Sequence, residues 1–448
     1  MKTLLLFAST LFLFSWSAFG QGLAKSQPDF IQNEILIKID ANQPIEEVIN
    51  ALNEKYFEDF TLSVKRATAP DWGLYLLEAS TSQLELPQIV KKVNDFQAIK
   101  AATLNRTLSN RNDPNDQNYA DQWYMMRVEM DKVWDITTGG QLSNGEPIVM
   151  AILDSGFDVE HDDIVENIWN NPGEVPSDNI DNDGNGLIDD VHGYNFQNDR
   201  GTFALGYHGL AVSGIAGAKG DNGVFTSGVN WDIKLMFLQC LSFESVASAF
   251  YYALNQKKLY LSSNGALGAN VMVTNTSLGT GGNCLDENIF PFFSEPMDSL
   301  GKYGILSVAS TANSFFDVDV DGDVPTNCPS DFLIAVTKTN QMDQLLDAAY
   351  GKNSVDLGAP GTEIYTLGLD NTLNFNFDGT SASSPLVAGT VALLYSLPCS
   401  KIAASVNETP EQMARDMKGF ILDGVDQFSS LQDKTVSGGR LNARKSME

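Results

Sequence analysis

From Gln122 onward the chain repeats one pattern: a short apolar, β-branched run followed by a stretch with helical character. "PIVMAILD", "IKLMFLQ", "NVMVTNTSLG", "YGILSVAST" and "FLIAVTK" place apolar residues at consecutive positions rather than alternate ones. A strand with one wet face alternates; a strand apolar on both faces is covered on both. Between these runs lie "HGLAVSGIAGA", "SVASAFYYALNQ" and a helical pattern after Gly379. The order restricts this part of the chain to an α/β fold, a mostly parallel sheet clothed by helices. With 43% hydrophobic and 10% aromatic residues in 448, there is enough apolar side chain for a large core.

The preceding segment reads differently. Residues 29 to 104 are expected to form a small α+β unit: "NEILIKID" and "GLYLLEAS" are strand-like, "PIEEVINALNEKYF" and "ELPQIVKKVNDF" have helical spacing. "RTLSNRNDPNDQN", from Arg106 to Asn118, is polar and turn-rich, and an exposed linker of this kind suits proteolysis. Further upstream, Lys2 precedes the apolar run "TLLLFASTLFLFSWSAFG", with Ala18 and Gly20 before Gln21. This is the pattern of a cleaved export signal over residues 1–20. No later run has the length and freedom from polar residues that stable membrane insertion needs.

Export bears on the four cysteines, Cys240, Cys284, Cys328 and Cys399, because disulfides persist in an oxidising compartment. Three full pairings are open. Cys284 and Cys328 both sit in Gly/Asn/Pro-rich loops and are the expected pair. The 57 acidic against 28 basic residues give a net charge of −29, which excludes nucleic acid as a partner class.

Only three histidines exist: His161, His192 and His208. His208 opens "HGLAVSGIAGA", a helix of small residues that implies close backbone approach to a neighbour. Asp154 ends the buried run "PIVMAIL", and functional groups in open α/β sheets gather at the carboxyl ends of strands. A carboxylate there accepts an imidazole N–H, fixes the tautomer and stabilises the imidazolium; Asp-Ser-Gly is also an ordinary turn. Ser381 follows Gly379-Thr380 at an apparent helix start, where its N–H faces outward at the positive end of the dipole. Pro385, read as a first-turn proline, places that start near Thr380 to Ala382 and leaves Ser383 and Ser384 as packing residues. Ser381 as a plain N-cap is the other reading. Asn313, just past "GILSVAST", supplies an amide donor suited to complete an oxyanion hole with the Ser381 N–H.

Taken together, these residues resemble the subtilisin-like serine proteases, the subtilases (peptidase family S8). "AILDSGFDVEHDDI", "HGLAVSGI" and "GTSASSPLVAG" are similar to the family's aspartate, histidine and serine motifs in their usual order. The resemblance, over residues 122 to 445, implies that Asp154 orients, His208 is general base and acid, Ser381 attacks and Asn313 holds the oxyanion. It implies that Ser277, Leu278 and Gly279 pair with substrate backbone. With Ser310, Thr311 and Ala312 they wall the pocket for the side chain preceding the scissile bond (P1). It also implies a subtilisin-like three-layer catalytic domain at 111–448 behind a ferredoxin-like propeptide at 21–110, which acts as chaperone and intramolecular inhibitor. Substrates are then proteins or peptides, and the protein is made as a zymogen; the export signal leaves open free secretion or retention in the periplasm or at the cell surface. Leu210 and Ala211 replace the family's usual Thr-His, Ala312 replaces a Gly, and Ala382 follows the nucleophile. None removes a reacting group, which argues against a catalytically silent binding protein on the same fold.

"DNDGNGLIDD" presents Asp181, Asp183, Asn185 and Asp189 with Gly186 at the turn. That oxygen spacing is the pattern of an EF-hand-type calcium loop, although position 12 lacks its Glu. "DVDVDGD" has similar spacing, and both loops can also be read as solvated acidic turns. Asp163 matches a family calcium ligand by the resemblance. Calcium, in a structural role, is the expected cofactor.

Overall fold

Two units divide the chain, Met1–Ser109 and Asn110–Glu448. The computed structural model describes residues 30–57, 61–80, 86–106 and 113–448. The export signal expected at 1–20, the expected domain boundary at residue 110 and residues 107–112 of the linker lie outside the described residues.

In the first unit, Ile35, Ile37 and Ile39 alternate along strand β1 (Phe30–Ile39) and bury one face. Against that face pack helices α1 (Ile45–Tyr56) and α2 (Leu86–Asn94) through Ile49, Leu52, Ile89 and Val93. Strands β2 (Leu62–Ala69), β3 (Leu74–Ala79) and β4 (Ile99–Arg106) complete an antiparallel sheet of order β2-β3-β1-β4. The β-α-β-β-α-β order is ferredoxin-like. Strands β2 and β4 are not evident from sequence because most of their side chains are exposed or half-exposed.

The second unit opens with two short helices, α3 (Trp123–Arg127) and α4 (Met130–Trp134). Its sheet has nine strands. They are β5 (Val149–Asp154), β6 (Gly193–Asn195), β7 (Lys234–Gln239), β8 (Val271–Thr276), β9 (Leu306–Ser310), β10 (Leu333–Thr339) and β11 (Leu357–Pro360), with a terminal pair described below. Between them run α5 (Tyr207–Gly217), α6 (Phe243–Ser262), α7 (Phe290–Gly301) and α8 (Val318–Asp321). After β11 come a separate hairpin, β12 (Ile364–Gly368) and β13 (Thr372–Phe377), then helices α9 (Thr380–Tyr395), α10 (Ser400–Glu408) and α11 (Pro410–Asp423). The terminal pair β14 (Asp426–Gln427) and β15 (Gly439–Arg440) closes one edge. The order is β14-β15-β11-β10-β9-β8-β5-β7-β6, parallel throughout except for β14 against β15.

Every residue of β5 is buried, as a two-sided strand requires. Met150 and Ile152 enter the core shared with α5 and α9; Val149, Ala151 and Leu153 enter the core under α6 and α7. These are the three layers of a subtilisin-like fold. Helix α9 is buried along its whole length, so it carries no polar face. Among the described residues no single helix is long and apolar enough to cross a membrane. The structure joins Cys284 to Cys328, as expected, and leaves Cys240 and Cys399 as free thiols.

The chain leaves β5 for the edge at β6 and β7, then crosses to β8 on the other side of β5. That reversal opens a crevice at the carboxyl ends of β5, β7 and β8, the place where ligands meet open α/β sheets.

Candidate active site

Asp154 is the last residue of β5 and is fully buried. Its Oδ1 accepts from Ser155 N at 2.6 Å and from His208 Nδ1 at 2.8 Å, with Oδ2 3.0 Å from the same nitrogen. His208 is the second residue of α5, and three glycines bring it there. A Cβ on Gly209 would stand 2.1 Å from the Gly156 carbonyl oxygen, and Gly156 and Gly206 are in similarly close contact. The first turn of α5 therefore lies directly on the Ser155-Gly156 turn that follows β5. Further along, Gly214 admits Leu367 and Gly217 admits Ile233, while Gly389 of α9 admits Val229, so the small residues serve close packing as expected.

With Nδ1–H committed to Asp154, Nε2 is the basic nitrogen of His208. Burial pulls this imidazole toward neutrality; the hydrogen bond and charge of Asp154 together outweigh that, and its pKa is raised above the ordinary value. The ring packs edge-on against Phe377 of β13, centroids 5.5 Å apart. The other two histidines are used elsewhere. His161 Nδ1 accepts from Asp163 N and its Nε2 meets the Thr372 carbonyl, while His192 bonds the Trp169 carbonyl.

Ser381 lies in the first turn of α9. Its neighbours are not free: Ser383 Oγ donates to the Ala359 and Pro360 carbonyls, and Ser384 Oγ donates to Asn275 Oδ1 at 2.7 Å. Both are fully buried, whereas Ser381 keeps 7% of its surface. Pro385 is not in the first turn, as sequence suggested, but is the sixth residue of α9. A proline there withholds the N–H that the Ser381 carbonyl would otherwise accept. Ser277 Oγ fills the gap, donating to Ser381 O at 3.1 Å while accepting from Asn275 Nδ2 at 3.1 Å. Ser381 Oγ in turn donates to the Ser277 carbonyl at 3.3 Å; no hydrogen bond to His208 is formed.

Asn313 sits just beyond β9. Its Oδ1 accepts from Thr380 N at 2.8 Å and from Thr380 Oγ1 at 3.2 Å, which turns the Nδ2 donor the other way. Gly379, with φ +149, admits this contact, since a Cβ there would stand 3.2 Å from Asn313 Oδ1. Thr380 Oγ1 also bonds the Thr311 carbonyl, so the strand end and the helix start are tied at two points.

Of the expected substrate contacts, Leu278 and Gly279 line an apolar hollow with Leu241, Phe243 and Phe293. Ser277 faces α9 instead. Ser310 and Thr311 are buried, and Ala312 packs toward Val318, Ala349 and Val355, so its extra methyl is absorbed by a small cluster.

The acidic loops arrange themselves otherwise than the spacing implied. Asp181 accepts from the N–H groups of Gly184, Asn185 and Gly186, and Asp189 from those of Asp178 and Asn179. Both shape the turn. Asp183 instead gathers with Glu174 and Asp190, one oxygen of each within 4.8 Å of the others. Asn185 is held there, donating to Asp183 and Asp190. Asp190 Oδ1 and Glu174 Oε2 are buried with no partner among the described residues. Burial, then the charges of Asp183 and Glu174, push the Asp190 carboxyl up to about 6. A carboxylate trio with orphaned oxygens fits a hard divalent cation. Sequence missed Glu174, which lies outside the motif, and Asp190, which was passed over for Asp189. Asp189 has φ +52 and faces the loop, leaving its neighbour to enter the core.

Asp163 is fully buried, bonded to Thr226 N at 3.0 Å and Asn222 Nδ2 at 2.8 Å. Burial raises its carboxyl to about 8, with a further push from Asp116. "DVDVDGD" does not converge: Asp317 caps α8, Asp319 holds Asn353, and Asp323 turns inward.

A family model described as "Subtilase family" matches residues 145–432, well over half of the chain. The chain belongs to the subtilase family. "Subtilisin-like protease 1" of Plasmodium berghei is 25% identical over 73% of this chain and 53% of its own length. The chain thus spans about half of that subtilase. "Thermophilic serine proteinase" of a Bacillus species is also 25% identical, over 87% of this chain and 84% of its own. Among solved structures, the epidermin leader peptide processing serine protease of Staphylococcus aureus shares the fold. The TM-score is 0.54 at 18% identity, covering 92% of this chain and 97% of that one.

Proposed function

We propose that this subtilase is an exported serine endopeptidase, made as a zymogen and stabilised by calcium. The observations that carry the reading are the Asp154–His208 pair and, in the first turn of α9, Ser381, whose neighbours Ser383 and Ser384 are both spent on packing. Ser381 Oγ rotates from the Ser277 carbonyl to His208 Nε2 when substrate binds, a tightening common on passing from the free enzyme to the Michaelis complex. Nε2 takes the proton as Oγ attacks the scissile carbonyl, and Asp154 stabilises the imidazolium. The oxyanion meets Asn313 Nδ2 and the Ser381 N–H, an intrahelical orphan at the start of α9. His208 then protonates the leaving amine, and water releases the acyl enzyme by the same route.

Residues 1–20 direct export, in keeping with the Cys284–Cys328 disulfide. Residues 21–110 are the propeptide and intramolecular inhibitor, and 111–448 the catalytic domain. Glu174, Asp183 and Asp190 are the calcium ligands we favour, with Asp163 a second point of attachment. Labelling by a serine-directed fluorophosphonate tests the enzyme reading. Processed wild type takes the label and Ser381→Ala does not; no label on processed wild type would retire it in favour of a silent binding protein. A fully active protein whose N-terminus remains at Gln21 would retire the zymogen.

A further inference from the structure

We propose that Asp323 is the base of the pocket for the P1 side chain and selects a cationic residue, Lys or Arg, at that position. The inference rests on the serine-protease reading above. Asp323 is 2% exposed. Its Oδ2 accepts from Ala312 N at 3.0 Å and from Thr326 Oγ1 at 2.6 Å, and Oδ1 has no partner among the described residues. Unlike the enclosed, unpaired oxygens of Glu174 and Asp190, Oδ1 keeps some accessible surface. Among the described residues no Lys, Arg or His acts on this carboxyl; burial raises it, to about 6, against the two hydrogen bonds. At neutral pH it is therefore an ionised, nearly buried group with no countercharge, an arrangement that costs free energy unless a cation arrives from elsewhere.

Its place says where the cation comes from. Ala312 immediately precedes Asn313, whose side chain is tied to Thr380 next to Ser381. On the other side, Val324 and Thr280 exchange two backbone hydrogen bonds of 2.9 Å, and a Cβ on Gly279 would stand 2.9 Å from the Val324 carbonyl. The segments 277–280 and 310–313 are thus both in contact with Asp323-Val324, and the Cys284–Cys328 bridge joins the chain again four residues beyond Thr280 and Val324. A substrate ammonium or guanidinium entering between those segments meets Oδ1 after its aliphatic stem has crossed apolar surface.

Asp323→Asn keeps one acceptor oxygen for Ala312 N and Thr326 Oγ1 and replaces the other, charged oxygen with a neutral NH2 donor. Wild type and Asp323→Asn are compared on tetrapeptide amides that differ only at P1: Lys, Arg, norleucine and Glu. The expected kcat/KM for Lys and Arg exceeds norleucine by about 10- to 100-fold in wild type. In Asp323→Asn the ratio of Lys to norleucine kcat/KM falls to about one. Equal turnover of Lys and norleucine by wild type overturns the inference, and so does a Lys preference that survives in Asp323→Asn. If the variant fails to fold, the wild-type comparison decides by itself. Binding of peptides ending in Lys or norleucine to Ser381→Ala, measured by calorimetry, separates the two levels of the argument. A Lys preference in binding without any turnover in wild type sinks only the protease reading; turnover without a Lys preference sinks only the role of Asp323.

Discussion

Replacing Ser277 with Ala removes one oxygen atom and orphans two buried groups. Ser277 Oγ is the donor to the Ser381 carbonyl and the acceptor for Asn275 Nδ2, each at 3.1 Å. Neither group has a substitute nearby: Pro385 has no N–H for the carbonyl, and Asn275 is fully buried. An orphaned buried polar group costs about 1–3 kcal/mol, so with two of them the variant should lose about 2–6 kcal/mol of stability. The decisive comparison adds Pro385→Ala, which returns the helical N–H four residues after Ser381. That N–H has an unpaired acceptor only when Ser277 is gone. The double variant should therefore recover about 1 kcal/mol beyond additivity, against the ~0.5 kcal/mol scatter of independent sites. Urea titration in a Ser381→Ala background prevents self-digestion. Intrinsic fluorescence follows this unit, because Trp134 and Trp231 lie 5.1 Å apart in its core. Strict additivity would refute the claim that Ser277 stands in for the amide that Pro385 lacks.

The raised His208 pKa sets the acid limb of activity: the base works only when neutral, so kcat/KM should fall with decreasing pH at a value above that of an ordinary imidazole. Asp154→Asn removes the groups that raise it, moving the limb down while kcat falls by about 10³- to 10⁴-fold; an unmoved limb would contradict the pairing. Asn313→Ala should lower kcat by about 10²- to 10³-fold with little change in KM, measured on one peptide substrate. For calcium, Tyr252 donates to Asp190 Oδ2 at 2.5 Å and is placed to sensitise bound terbium. Luminescence from that site should be lost in Asp190→Asn and retained in Asp189→Asn, and chelation should lower the Tm of wild type; the reverse pattern would restore the loop ligands read from spacing.

Much was legible in the chain itself. Consecutive apolar positions in "PIVMAILD" mark a strand covered on both faces, because each side chain must find a dry layer. The scarcity of histidines and the turn after Gly379 narrowed the candidate reacting groups to Asp154, His208 and Ser381. Side-chain direction was not legible. Asp189 and Asp190 are neighbours in sequence, yet a left-handed backbone at the first sends the second inward, and no spacing rule carries that information. Pro385 singled out Ser381 on the reading that it is a first-turn proline, and it is not one. It stands in the second turn, tolerated because Ser277, from a strand end more than a hundred residues earlier, supplies a donor to Ser381 O. Local sequence determined where strands end and helices begin, since those depend on the side chains at hand. Which donors and carboxylates meet was decided by the crossing of β5, β8, β9 and α9, where residues far apart in the chain are brought within hydrogen-bond range.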